Sequence, residues 1–345
     1  MDQKTVLVTG GTGYLASWIV KNLLDDGHQV RITVRNKQQV EKYAHLTNLA
    51  QQSPGELSIY EADLLKEGSF DEAVKGCEYV FHTASPFFIS NISNAYEDLV
   101  KPALDGTRNV LGAVNKAGTV KRVVLTSSVV AMYGDNIDLK GKAPLDETFW
   151  NETSSEHHQP YSYSKTIAEK EAWKIANEQE KWDLVTINPT FLLGPSLTKR
   201  NDSTSISTLI DILTGKYKTG VPDLEMGYVD VRDVAEAHMK AAFKEEATGR
   251  YILSSGVTTF LTMAKTLDEA FPNQYALPKR IVPKPLIWLL APMIGLTRKY
   301  VVKNVSYPLQ VKNDKSRQEL SITYRSLYET LVDQRNQLLK DGLIK

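Results

Sequence analysis

Tyr161 and Lys165 stand four residues apart, a spacing that puts both side chains on one face of a helix. A phenol at its ordinary pKa of about 10 is a poor proton donor near neutrality. An ammonium one helical turn away favours the phenolate, and each pKa unit of that shift is worth about 1.4 kcal/mol. A shift of roughly two or three units brings the phenol into the range of a general acid or base. Ser127 and Ser128 end an apolar run, Arg122 to Thr126, that reads as a strand. A serine hydroxyl at such a strand end can hold a substrate oxygen and share its developing charge. Ser128 is the first choice for that role and Ser127 the second. The chain holds another Tyr-x-x-x-Lys, Tyr275 to Lys279, but Pro278 inside it breaks the helical relation.

A phenol, a lysine and a serine move a proton; a dinucleotide would bring the hydride. The stretch Thr5 to Gly27, TVLVTGGTGYLASWIVKNLLDDG, reads as a buried strand (Val6, Leu7, Val8), a tight turn and an amphipathic helix from Tyr14 to Asp26. Gly10 can take backbone angles that cost other residues, and Gly13 leaves room for a pyrophosphate near the first helical amides. The third glycine position of the pattern is Ala16, which still permits close packing of helix on strand. Thr12, Tyr14 and Leu15 are further candidate cofactor-binding residues. Gln29 to Val34 reads as the second strand, and at its end an acidic side chain would accept the ribose hydroxyls of NAD. Arg35 stands there instead, with Lys37 and Lys42 close in sequence, which points to the 2′-phosphate of NADP(H).

Further strands are expected at Leu57 to Tyr60 and Glu78 to His82, with a short helix, Ser69 to Val74, between them. Asp63 follows the third strand and either accepts the adenine amino group or forms a simple turn; Leu64 lies beside it. The fourth strand runs into HTASP, His82 to Pro86, where small residues (Thr83, Ala84, Ser85) leave space for a flat ligand. His82 itself reads as structural, with no metal partners nearby, and no metal site is expected. A long helix is expected over Leu99 to Ala117, and Asp135 to Gln159 is polar enough to read as a surface excursion. Ser162 to Lys181 is helical in pattern, and Leu184 to Asn188 is a sixth strand ended by Pro189. Pro189, Thr190, Leu192 and Thr126 are expected beside the cofactor.

This alternation of strand and helix predicts an α/β fold, a Rossmann-type doubly wound parallel sheet with a smaller C-terminal substrate lobe. The dinucleotide-binding part spans 1–189 with 228–255 returning to it; 190–227 and 256–345 form the lobe. Lysine and arginine number 41, aspartate and glutamate 41. That balance gives no reason to expect nucleic acid or a membrane as partner, although a local patch can hide inside an average. A single cysteine, Cys77, excludes an intrachain disulfide and fits a reducing compartment, and the start carries no signal-peptide pattern, so a cytoplasmic monomer or homodimer is expected. The most apolar stretch, Leu286 to Leu296, is too short to span a bilayer and contains Pro292; it reads as a buried helix pair or a pocket wall, ahead of a membrane-surface or oligomer contact.

With these residues in place the chain resembles the extended short-chain dehydrogenase/reductase family, and within it the branch of dihydroflavonol reductases, cinnamoyl-CoA reductases and yeast-type aldehyde/ketone reductases. The motifs are TGGTGYLASWIVKNLL, TVRN at Arg35, ADL at Asp63, GSFDEAVKGCEYVFHTASP, VVLTSS, YSYSK, INPTFLLGP and YVDVRDVAEAH, which together cover nearly the whole chain. The resemblance implies NADPH-dependent reduction of an aldehyde or ketone. It implies Ser128, Tyr161 and Lys165 as the catalytic residues, Lys165 also on the nicotinamide ribose. It places Arg35 and Lys42 on the 2′-phosphate, Pro189 to Leu192 along the nicotinamide, and Tyr228 to Asp233 near the lobe. Tyr133 stands where the flavonoid reductases carry asparagine, which favours a small or medium carbonyl substrate. The Tyr133–Gly134 pair is also similar to nucleotide-sugar epimerases and dehydratases, which hold NAD; Arg35 argues against that reading. A dinucleotide-binding sensor without turnover is the remaining alternative, disfavoured by the intact Ser, Tyr and Lys.

Overall fold

The computed structural model describes residues 2–85, 94–200 and 202–345. Its first six strands are β1 (Thr5–Thr9), β2 (Gln29–Val34), β3 (Glu56–Glu61), β4 (Tyr79–His82), β5 (Arg122–Thr126) and β6 (Asp183–Pro189). The connecting helices are α1 (Tyr14–Asp25), α2 (Ala44–Ala50), α3 (Asp71–Val74), α4 (Lys101–Ala117) and α5 (Pro160–Asn177). The chain then runs through β7 (Phe191–Leu193), α6 (Thr204–Leu213), β8 (Val221–Pro222), β9 (Met226–Asp230), α7 (Val231–Phe243), β10 (Gly249–Leu253), β11 (Gly256–Thr258) and α8 (Phe260–Ala270). It ends with β12 (Ile281–Val282), α9 (Lys284–Leu290), α10 (Arg298–Asn304), α11 (Asp314–Glu319) and α12 (Leu327–Lys340).

Seven strands form one parallel sheet in the order β10-β6-β5-β4-β1-β2-β3. The order reverses between β1 and β4, so a crevice opens at their carboxyl ends. Both faces are covered, as the near-continuous apolar strands require. On one face α1 and α7 pack with Ile19, Leu23, Val234 and Met239 against Val6, Val8 and Ile32. On the other α4 and α5 bring Val110, Leu111 and Ala172 onto Leu7, Val80 and Val123. The first of these cores continues into Leu209 of α6 and Leu331 and Leu338 of α12, so the later segments are packed on the sheet.

Several expected boundaries move for local reasons. The long helix starts at Lys101 behind a wider turn over Tyr96–Val100, because Pro102 supplies no N–H to a preceding turn. The Tyr161 helix starts at Pro160 and stops at Asn177, where the Gln179 amide caps Ala176 O and Trp182 O at 3.0 and 2.7 Å. Thr259 caps α8, its Oγ1 accepting Thr262 N at 3.0 Å. Pro86, the last residue of the HTASP stretch, lies outside the described residues.

The segment Asp135 to Gln159 is a surface excursion only in part: residues 140–143, Thr148, Glu152, Thr153 and His157 are exposed, whereas Asp135, Asn136, Leu145, Asn151 and His158 are buried. Its polar residues satisfy one another and residues of α10. The Asp135 carboxylate accepts His158 Nε2 at 2.7 Å, Asn304 Nδ2 at 2.7 Å and Lys303 Nζ at 3.1 Å. Burial alone would raise that carboxyl, but those bonds hold it below the ordinary range. Leu286 to Leu296 forms α9 and a following 3-10 turn; Ile287 and Ala291 pack on Val301 and Val305 of α10, while Leu286, Trp288, Leu289 and Met293 are exposed.

Candidate active site

Above the β1/β4 switch point lies a cavity of about 1830 Å³. Its wall begins with the glycine turn. Gly10 has φ +64, and a Cβ there would meet Ala84 Cβ at 3.1 Å, so the residue must be glycine for both backbone angle and space. Gly11, which the pattern does not single out, is the tighter constraint on packing, since its Cβ would lie 2.6 Å from the Ile32 side chain. Gly10 N donates to Thr33 Oγ1 at 3.0 Å, which fixes the turn on β2. Thr9 Oγ1 accepts Thr83 N and Ala84 N, both at 3.1 Å, and bonds His82 Nδ1 at 2.9 Å. His82 is therefore a staple between β1 and β4, and burial pushes its imidazole down to about 3, so it stays neutral.

Of the residues expected at the cofactor, Gly10, Thr12, Gly13, Tyr14, Leu15, Arg35, Lys42, Leu64, Thr83, Ala84, Ser85, Thr126, Lys165, Pro189, Thr190 and Leu192 all line this cavity. Asp63 does not line it; its exposed carboxylate accepts Leu65 N at 2.9 Å and forms the simple turn. Tyr14 OH donates to Gly194 O at 2.5 Å, which ties the start of α1 to the segment after β7. Arg35 and Lys42 are exposed at the cavity's outer end and make no ion pair among the described residues. Arg200 joins the wall unannounced by any motif. It lies in the weakly patterned stretch after β7, donates to Thr12 O at 3.3 Å and pairs with Asp202 at 2.8 Å.

Ser128, Tyr161 and Lys165 face the same cavity. The two serines have separate roles. Ser127 is buried and donates its hydroxyl to the Glu169 carboxylate, whereas Ser128 Oγ, half-buried at the cavity, accepts Val130 N at 3.3 Å. Glu169, one turn past Lys165 on α5, also accepts Asn188 Nδ2 and Arg250 Nε, each at 2.7 Å. Nothing in the Tyr-x-x-x-Lys pattern announces it, yet it anchors β5, β6 and β10 behind the reacting groups. Tyr161 owes its position to the segment before it: Gln159 takes φ +57 ahead of Pro160, and its amide donates to Gly134 O at 3.0 Å.

The electrostatics depart from the expectation of an acidified phenol. Burial pushes the Tyr161 phenol up, not down. Lys165 Nζ lies 5.9 Å from the centre of the Tyr161 ring and donates to Ser85 Oγ at 3.1 Å. Burial lowers its own pKa to about 8, while the Glu169 carboxylate acts to raise it. At neutral pH the site therefore holds a protonated phenol beside a cationic amine.

The sequence model of the NAD dependent epimerase/dehydratase family matches residues 6–253. The chain belongs to that family, the extended short-chain dehydrogenases/reductases. Among its relatives, a tetraketide alpha-pyrone reductase of Arabidopsis thaliana is 42% identical over 284 residues, covering 81% of this chain and 85% of that protein. A cinnamoyl-CoA reductase of Medicago truncatula is 37% identical over 284 residues, covering 82% of this chain and 85% of that protein. The structure of yeast methylglyoxal/isovaleraldehyde reductase in complex with NADPH superposes with a TM-score of 0.81 at 29% identity, over 98% of this chain and 99% of that one. The matched span includes the glycine turn, the serine pair and the Tyr-x-x-x-Lys helix.

Proposed function

We propose that this chain is an NADPH-dependent reductase that converts an aldehyde or ketone to the alcohol. The observation that carries the reading is one cavity joining a glycine turn, a basic outer end at Arg35 and Lys42, and the group Ser128, Tyr161 and Lys165. The reductase names of its relatives and the NADPH held by the yeast reductase support it.

The residues fit a dinucleotide bearing a 2′-phosphate. A diphosphate has the α1 N-terminus and the close backbone approach at Gly10 and Gly13, and the 2′-phosphate has the Arg35 guanidinium with Lys42. The bound dinucleotide supplies the hydride. Ser128 Oγ donates to the carbonyl oxygen and polarises it. Tyr161 Oη gives its proton to that oxygen as the carbonyl carbon is reduced, and the alcohol leaves. The raised phenol suits this direction, because the donor carries its proton at neutral pH and the developing alkoxide is the stronger base. The Lys165 ammonium then stabilises the phenolate left behind.

A fluorescence titration with NADPH and NADH, followed by loss of reduced-nicotinamide absorbance over a panel of aldehydes, ketones and diketones, tests the reading. Tight NADPH binding with turnover of a panel carbonyl is expected. Purified protein that retains NAD and reduces nothing would favour the nucleotide-sugar epimerase reading.

A further inference from the structure

Residues 270–313 contain seven lysines and arginines and not one aspartate or glutamate, although the whole chain carries no net charge. Within that basic stretch, α9 and the turn after it present an unpartnered apolar face. Leu286 is 45% exposed, Leu289 58% and Met293 83%, with Trp288 beside them. Their inward neighbours Ile287 and Ala291 are already packed on α10, so the outer face is surplus to the lobe's own core. Lys303 is taken by Asp135 and Lys312 by Asp146. Lys279, Arg280, Arg298 and Lys299 are exposed and make no ion pair among the described residues, and the Arg298 guanidinium lies 4.5 Å from the centre of the Trp288 ring. Ile287, Leu290, Met293, Ile294 and Leu296 of the same segment line the cavity, so Met293 stands at its rim and the outer face of Leu286, Trp288 and Leu289 flanks its entrance.

We propose that the α9–α10 face is an interfacial anchor that seats on an anionic lipid bilayer. Exposed tryptophan and leucine on a short helix, in a stretch that carries cations and no acidic residue of its own, match the chemistry of the headgroup boundary. Insertion is shallow, since no helix among the described residues is long and apolar enough to cross a membrane. A symmetric contact with a second copy is the weaker match, because it would set this positive surface against itself. Lipid at that position also brings the cavity entrance next to the bilayer, a consequence that rests on the reductase reading, while the anchor itself does not.

Sedimentation of the full chain with vesicles of equal parts phosphatidylglycerol and phosphatidylcholine, without cofactor or carbonyl, tests the anchor. Binding at low salt, weakened by added salt and much weaker on phosphatidylcholine alone, is expected. Arg298→Gln with Lys299→Gln lowers the partition coefficient roughly thirtyfold, at about fivefold per cation. Leu286→Ser with Leu289→Ser also lowers it, with an unchanged melting temperature because both side chains are exposed. Absence of sedimentation, equal binding to the zwitterionic vesicles, or a concentration-dependent dimer abolished by the leucine pair would each overturn the proposal. NADPH titration of the same samples reports separately on the reductase reading.

Discussion

Ser127 donates its hydroxyl to Glu169, one helical turn beyond Lys165, and that bond commits one of two adjacent serines to the buried carboxylate while Ser128 is left more open to the cavity. The same carboxylate holds Asn188 and Arg250 and acts on the charge of Lys165. Glu169 is thus a positioning residue behind the reacting groups.

Its consequence is a pH dependence. Lys165 is a base with its pKa lowered to about 8, so its charge is present below that pH and lost above it. Turnover is expected to fall as pH rises through about 8. The groups facing Lys165 are Tyr161 on its own helix, Ser85 and the neutral His82 from β4, and Glu169. Glu169→Gln keeps an acceptor for Ser127 and removes the negative charge, so the alkaline limb moves to lower pH. A variant that loses rate equally at every pH, with the limb unmoved, would reduce Glu169 to packing.

On the proposed reading, Arg35 sets cofactor preference. Arg35→Ala removes a charge-assisted bidentate partner, and NADPH affinity is expected to weaken roughly tenfold to a hundredfold while NADH affinity changes little. Equal weakening of both, read by fluorescence titration, would take the 2′-phosphate away from Arg35.

Acid stability reports on two buried imidazoles. Burial lowers His82 to about 3 and His238 to about 4, against an ordinary 6.5, so each is neutral when folded and protonated when unfolded in the range between. Their contribution is complete above 6.5 and is lost as pH falls towards those values, at up to about 1.4 kcal/mol per pH unit for each histidine. Melting temperatures should drop between about pH 7 and pH 5, and His82→Gln should flatten that drop. An unchanged slope in the variant would contradict the assignment.

The strands of the parallel sheet and the glycine turn were legible because they rest on local signals: β-branched runs, glycines between a strand and a helix, an aromatic helix start. That Ser128, Tyr161 and Lys165 could share one cavity was legible because spacing on a helix and a strand end is also local. What escaped depends on contacts across the sequence. Asp135 and His158 look like surface residues until Lys303 and Asn304 arrive from the lobe 168 residues later. Arg200 reaches the glycine turn from a stretch with no period, and the elevated phenol of Tyr161 reflects burial, which spacing does not show. The neutral total charge concealed a basic, apolar face at α9 in the same way.

The Tyr161→Phe variant tests the proton transfer most directly. The account predicts a loss of turnover of at least about a thousandfold, within the usual span of general acid catalysis, with NADPH affinity close to that of the parent. Turnover that survives the loss of this one hydroxyl would contradict it.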